Sequence, residues 1–286
     1  MPTREEIHEA QRVYWDGAGG DKWLRRSDDI DANVAPAQRA ALTTADIRAG
    51  GRVLDIGCGT GGSTLALAER VGVNGRVLAL DISHAMIGVA RNRALSLPQV
   101  ECVVGDAATH AFERESFDLA FSRFGIMFFG DPPAAFANIR GALKPNGKLV
   151  FVCWRPIDEN PWMRVPLRAV CKHAPRPQRP GPEDPGPFAF GDPARVTRVL
   201  TAAGFATPRI EPFDFDIDLA LGRGLEAAVE TASNVGAASA ALTGQPDDVR
   251  AAAVDELRRE LAPLERDGRV ALAAAVWIVS AARGPA

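Results

Sequence analysis

Between Arg52 and Trp154, short apolar runs alternate with stretches whose apolar residues recur every three or four positions. The runs at 52–56, 76–81, 100–104, 117–122 and 148–154 are rich in Val, Leu, Ile and Phe. Such runs predict strands covered on both faces, as in a parallel sheet. The stretches between them carry helix punctuation. Ser83 can cap a helix whose apolar side is Met86, Ile87, Ala90 and Ala94. Asp131–Pro132 supplies a cap followed by proline in the first helical position, and Phe136, Ile139 and Leu143 form the stripe to be buried. "KPNGK" (144–148) stops that helix and turns the chain into the next strand. Five β–α repeats predict an open, doubly wound sheet with a ligand crevice at the carboxyl ends of its strands.

Beyond Trp154 the rhythm breaks. "APRPQRPGPEDPGP" (174–187) is too dense in proline for a helix or a central strand. Regular structure resumes at Asp192–Pro193, with Val196, Val199, Leu200 and Ala203 as the stripe and Gly204 as the stop. "FATPRIEPFDFDI" (205–217) reads as a strand with edge-type prolines. Residues 219–265 are alanine-rich and helical. There Val249, Ala253, Leu257 and Leu261 repeat every four positions, with Asp247 and Asp248 at the start and Arg258 and Arg259 later, as the helix dipole favours. The chain closes on a strand-like run, 270–280.

Composition changes this picture little. The 286 residues are 47% hydrophobic and 24% charged, enough for a sizeable core in one large domain or a domain with an insertion. Net charge is −3 and the 33 basic residues are scattered, so no nucleic-acid partner is expected. Cys58, Cys102, Cys153 and Cys171 form no C-x-x-C and no paired spacing with histidine, so neither a metal nor a structural disulfide is expected. The charged opening "MPTREEIHEAQRVYW" lacks the apolar core of a signal peptide, and "VALAAAVWIVSAA" (270–282) is too short to span a bilayer. These features predict a cytoplasmic chain with no membrane span.

The chemistry concentrates in "VLDIGCGTGG" (53–62), which admits two parsings. Gly57, Gly59 and Gly62 fit the G-x-G-x-x-G of dinucleotide binders, whereas Asp55, Gly57, Gly59 and Gly61 fit D-x-G-x-G-x-G. Both need glycine for unusual dihedrals and close ligand approach, and both want an acid such as Asp81 at the second strand's end for ribose hydroxyls. The remaining acids separate them. Asp55 precedes the glycines, where a pyrophosphate would be repelled and an ammonium group welcomed. Asp106, in "VECVVGDA", ends the third strand, where it can accept from an adenine amino group. No arginine or lysine lies among the glycines. The pattern suits a cationic adenosine cofactor and suits phosphate poorly.

On these residues the chain resembles the class I S-adenosylmethionine-dependent methyltransferases. The likeness is carried by "VLDIGCGTG", "LDIS", "VVGDA", "FDLAFSRFGIMFF" and "ALKPNGKLVF", over roughly residues 50–154. Within that family it looks like the ubiquinone/menaquinone-biosynthesis type and its small-molecule relatives. The resemblance implies an α/β fold with a doubly wound, Rossmann-like seven-stranded sheet. Runs 205–217 and 270–280 would form its terminal antiparallel hairpin, and a mainly helical cap would be inserted around the last strands. The chain would divide into an N-terminal helical lid (1–50), a cofactor-binding core (51–154), a proline-rich loop and cap segment (155–191), a core helix with strand six (192–218), a helical cap insertion (219–265) and a last core strand (266–286).

The resemblance also implies roles. Asp55 and the turn Gly57, Cys58, Gly59, Thr60 and Gly61 would hold the methionine part. Asp81 would bind the ribose hydroxyls, with Ile82 and Met86 near the adenine, and Asp106 and Ala107 would contact the adenine amino group and ring. Ser122 and Arg123 would line the methyl-transfer mouth. Trp15, in "VYWDGAGG", could cover the sulfonium by cation–π contact or simply pack on the surface. Tyr14, the only tyrosine, and Arg123 are weak catalytic candidates. Phe124, Met127, Trp154 and Trp162 are candidates for an apolar acceptor pocket, against core packing as the alternative. His8, His84, His110 and His173 declare no base. The expected partner is a small-molecule methyl acceptor, the product S-adenosylhomocysteine, no metal, and the chain a monomer or homodimer. Alternatives are an NAD-dependent oxidoreductase and a non-catalytic protein that keeps the pocket as a sensor. Calorimetry should show binding of S-adenosylmethionine and S-adenosylhomocysteine without comparable binding of NAD or NADP; tight NAD binding alone would overturn the cofactor assignment.

Overall fold

The computed structural model describes residues 4–178, 181 and 184–284. Three helices come first: α1 (Arg4–Trp15), α2 (Ala18–Leu24) and α3 (Ser27–Ala45). The alternating region follows as β1 (Arg52–Ile56), α4 (Gly62–Val71), β2 (Arg76–Asp81), α5 (His84–Arg93), β3 (Val100–Val104), β4 (Phe117–Arg123), α6 (Pro132–Ala142) and β5 (Leu143–Trp154). Then come α7 (Pro161–Val170), α8 (Pro193–Ala202), β6 (Arg209–Asp218), α9 (Leu225–Asn234), α10 (Gly236–Leu242), α11 (Asp247–Leu261), β7 (Glu265–Arg266) and β8 (Arg269–Ala282).

The strands form one sheet in the order β3-β2-β1-β4-β5-β8-β6. Strands β1 to β5 run parallel, and β8 runs antiparallel to both β5 and β6. The inner parallel strands β1, β2, β4 and β5 are largely buried on both faces, as their apolar runs require: Leu54, Ala79, Ala120 and Val150 are 0% exposed, while β3, at the edge, buries only Cys102. The caps read from sequence are made: the Ser83 hydroxyl accepts from Met86 N, and Asp131 accepts from Ala134 N.

Three differences from the sequence pattern have local causes. The β3–β4 connection holds no helix. Asp106 instead closes a turn, its carboxylate accepting from Ala108 N and its carbonyl from Thr109 N and His110 N. Leu143 opens β5 opposite Phe117 instead of ending the helix stripe, and "KPNG" is extruded before pairing resumes at Leu119–Lys148. The eighth strand, β7, is a two-residue hairpin arm on β8. Its turn is Asp267–Gly268, both at positive φ (51° and 77°), which matches the twist of a tight hairpin.

The order of strands reverses between β1 and β4, and there the turn after β1 rests directly on the turn after β4. Gly57 has φ 64°, and a Cβ placed on it would lie 2.7 Å from Gly125 Cα; one on Gly125 would lie 2.8 Å from Gly57 Cα. Neither residue can carry a side chain without separating the turns. Gly125→Ala should therefore cost roughly 1–3 kcal/mol in urea unfolding. Gly141→Ala, in α6 with nothing within 4 Å, should be neutral or gain up to about 1 kcal/mol. Equal effects of the two would mean that the turns do not depend on contact.

Candidate functional site

Three carboxylates stand at the carboxyl ends of β1, β2 and just beyond β3, around the glycine turn. Gly57, Gly59 and Gly61 all have positive φ (64°, 55° and 90°), a path that only glycine follows without strain. Asp81, 9% exposed, holds this turn: Oδ2 accepts from Gly59 N at 2.8 Å and Oδ1 from Ser83 N at 2.9 Å. Burial raises its pKa while these backbone donors pull it down. Asp81 is thus structural as well as available, because each oxygen keeps a lone pair for a further donor.

Asp55 is fully buried. Ser63 and Thr64 hydroxyls donate to its Oδ2 at 2.8 and 2.7 Å, while Oδ1 has no partner. Burial pushes its carboxyl up to about 6. A buried carboxylate oxygen without a donor is costly, and an incoming donor would relieve that cost. An ammonium group supplies both the hydrogen bond and the opposite charge. Cys58 and Thr60 are buried beside it, and Met86 Sδ would be 3.7 Å from a Cβ on Gly59. The residues present therefore fit a cofactor with an amino group and a ribose.

They fit a pyrophosphate badly. The N-terminus of α4, where dinucleotide folds seat their phosphates, already faces a carboxylate from α3. A Cβ on Gly62 would collide with Asp31. Asp31 Oδ1 takes a hydrogen bond from Arg123 Nη2 at 2.5 Å and Oδ2 one from Arg93 Nη1 at 3.3 Å; Gln38 Oε1 takes another from Arg123 Nη1 at 2.8 Å. Arg123 is thereby buried in a network with α3.

The N-terminal helices lie across the crevice. Trp23 Nε1 is 3.6 Å from the position of a Gly59 Cβ. Trp15 meets Trp23 and Phe128 edge-on, with centroids 6.1 and 4.7 Å apart, and its buried Nε1 has no partner. His8 Nε2 is 3.4 Å from Asp106 Oδ2, so α1 rests on the third acid. Ala107 is buried next to it and Ile82 is half-buried. Tyr14 is 50% exposed and packs its ring on Gly19, away from the glycine turn.

Beyond β4 the candidates separate. Ser122 is fully buried and donates to Ile56 O at 2.7 Å, joining β4 to β1. Met127 is buried in the core, its carbonyl accepting from Gly186 N. Phe124 sits at φ 66°, a strained conformation for a bulky residue. Its N–H bonds Val152 O, and its ring stacks on Trp154 with centroids 4.4 Å apart at 12°. Trp162 follows at 5.0 Å and Phe215 at 6.3 Å from Trp154. Asn160, fully buried, fixes this corner: Nδ2 donates to Arg155 O and Ala275 O, and Oδ1 accepts from Ala275 N and Trp162 Nε1.

Residues 53–147 match the family model described as "Methyltransferase domain". Over 184 residues the chain is 33% identical to nocamycin O-methyltransferase of Saccharothrix syringae, covering 61% of this chain and 66% of that protein. Over 113 residues it is 34% identical to demethylmenaquinone methyltransferase of Staphylococcus epidermidis, covering 40% and 47%. Residues 53–147 thus carry a methyltransferase domain, similar to the corresponding stretches of these relatives. The structure of the YcgJ protein from Bacillus subtilis shares the fold, with a TM-score of 0.58 at 18% identity over 88% of this chain and all (100%) of that one. Matching stretches thus span about two thirds of the first curated relative and about half of the second.

The site has neighbours that the motifs do not announce. Trp23, Asp31, Gln38 and Arg93 lie outside the quoted motifs, and only the recurrence of tryptophan at 15 and 23 hints at one of them. Among the described residues no group of His, Cys, Asp and Glu could hold a metal, all four cysteines are free, and no helix is long and apolar enough to cross a membrane.

Asp55 gives the site a pH dependence. Its raised carboxyl disfavours the charged form, so the ligand-free fold loses stability as pH rises from the ordinary carboxylate range through about 6. A cationic ligand needs that charged form, so the binding dependence has the opposite sign. Affinity for S-adenosylhomocysteine should fall as pH drops through about 6, by roughly tenfold one pH unit below it. Asp55→Asn should bind weakly throughout and lose the slope. A flat profile in the unaltered chain would remove Asp55 from the ammonium site.

Proposed function

We propose that the protein transfers a methyl group from S-adenosylmethionine to a small, largely apolar acceptor by in-line displacement, releasing S-adenosylhomocysteine. The observation that carries the reading is the orphaned, buried Oδ1 of Asp55 beside an acid-held glycine turn. In this reading Asp55 and the turn from Gly57 to Gly61 hold the amino-acid end. Asp81 takes the ribose hydroxyls, Ile82 and Met86 flank the base, and Asp106 and Ala107 meet its edge once His8 yields the carboxylate. Trp15 and Trp23 close over the crevice. The bound cofactor supplies an activated sulfonium methyl, and the protein's part is chiefly to align the acceptor, a contribution worth roughly 7–11 kcal/mol in well-oriented systems.

For the acceptor, Phe124, Trp154 and Phe215 stack and Trp162 tilts against Trp154, an aromatic wall at the ends of β4, β5 and β6. Helices α7, α9, α10 and α11 pack together beside this wall and serve as its cap. No histidine is placed as a base: His84 pairs with Asp16, His173 faces Glu256, and His110 tilts against Phe112. The names of the relatives, an O-methyltransferase and a demethylmenaquinone methyltransferase, fit acceptors of this size and polarity.

The test is turnover. With S-adenosylmethionine and a panel of phenols, quinols and carboxylic acids, mass spectrometry should detect S-adenosylhomocysteine and one methylated product. Asp81→Asn should weaken cofactor affinity about tenfold, one charge-assisted hydrogen bond being worth roughly 1.5–3 kcal/mol. Cofactor binding without product across a broad panel would favour the sensor reading.

A further inference from the structure

The N-terminal helices meet the α9 helix across a cavity of about 590 Å³ that the sheet motifs do not explain. One wall is the end of α2 and its junction with α3, carrying Lys22, Arg25 and Arg26; the other is the face of α9 carrying Glu230, Thr231 and Asn234, with Arg223 just before it. Spacings of three and four residues place Glu230, Thr231 and Asn234 on one side of α9.

The charges do not balance. Arg26 Nη2 is 2.7 Å from Glu230 and Arg223 Nη2 is 2.6 Å from Asp29, so both lining carboxylates are already matched. Among the described residues Lys22 Nζ reaches only Ser239 Oγ, at 3.5 Å, and Arg25 makes no ion pair. Two cations therefore remain over, in a chain whose net charge is −3. A concave surface lined by an excess of one sign concentrates potential toward the opposite charge. The same short helix puts Trp23, one residue from Lys22, against the glycine turn. Ser239, which Lys22 reaches, lies on α10, and α10 packs on α7, the helix that carries Trp162.

We propose that the methyl acceptor carries an anionic group, a carboxylate or a phosphate, and that Lys22 and Arg25 hold it at the junction of the N-terminal helices with α9. Arg26 and Arg223 stay paired and frame the site. The apolar body of the acceptor then lies toward the rings of Phe124, Trp154 and Trp162. This assignment rests on the methyltransferase reading, since it names the acceptor of that same site.

The probes are phenyl phosphate, benzoate and the neutral benzyl alcohol, titrated by calorimetry into the full chain saturated with S-adenosylhomocysteine. At least one anion should bind and benzyl alcohol should bind much more weakly; which anion binds tells phosphate from carboxylate. Lys22→Ala/Arg25→Ala should weaken the anion at least about tenfold, the loss of one charge-assisted contact or more. Both side chains are exposed, so the variant keeps its fold, and its affinity for S-adenosylhomocysteine should be unchanged. Equal binding of the neutral probe, undiminished anion binding by the double variant, or a parallel loss of S-adenosylhomocysteine affinity would overturn the proposal. The last outcome would give the cations to the cofactor's own carboxylate. Failure of the unaltered chain to bind S-adenosylhomocysteine removes the methyltransferase reading and the acceptor assignment together.

Discussion

The turns after β1 and β4 touch through bare backbone, Gly57 against Gly125, and the crevice exists because nothing stands between them. A parallel sheet opens a cleft where its strand order reverses. Here the two glycines set how deep that cleft goes. Their contact lets the glycine turn curl back until Gly59 N meets Asp81, which fixes the second carboxylate and starts α5 through Ser83. It also brings Phe124 into a left-handed conformation over Val152, so the first ring of the aromatic wall is placed by the same constraint.

Around that contact the protein buries charge and leaves part of it unanswered. Asp55 has two hydroxyl donors on one oxygen and none on the other. Arg123, which at a strand end could have faced the crevice freely, is committed to Asp31 and Gln38. The distinction is physical. An arginine cannot shed its charge and must be paired when buried, whereas a carboxyl can wait in protonated form for a cationic partner. The N-terminal helices supply most of the pairing, through Asp31, Gln38 and His8, and so are bound electrostatically to the site they cover.

The insertions divide the work on the other side. Asn160 pins the chain after β5 to β8, which sets Trp162 beside Trp154. Phe190, from the end of the proline-dense stretch, fills the space between Phe136 and Phe151. That stretch is therefore anchored in the core at its exit; residues 179–180 and 182–183 lie outside the described part. Helices α9 to α11 pack on α7 and on each other, while Thr231 of α9 and Ser239 of α10 meet Arg26 and Lys22 at the end of α2.

Local chemistry determined much of this chain from sequence alone. The apolar runs marked β1 to β4 to within a residue, and Ser83, Asp131 and Asp192 marked helix starts, because burial on both faces and capping act over a few neighbouring residues. The glycine turn and Asp55, Asp81 and Asp106 were legible for the same reason, each belonging to a strand end. The Asp267–Gly268 hairpin was equally written in the sequence, though short enough to be absorbed into the last strand. Only tertiary structure decided which faces meet. Ser122 and Met127 turn inward and Phe124 stacks on Trp154, because side-chain direction at the end of a strand follows from its neighbours. Trp23 and Asp31 reach the crevice, and Lys22 and Arg25 the cavity beside α9, from helices far away in sequence. No spacing rule links residues 22–31 to residues 59–62 or 223–234; packing of the N-terminal helices against the sheet and α9 does.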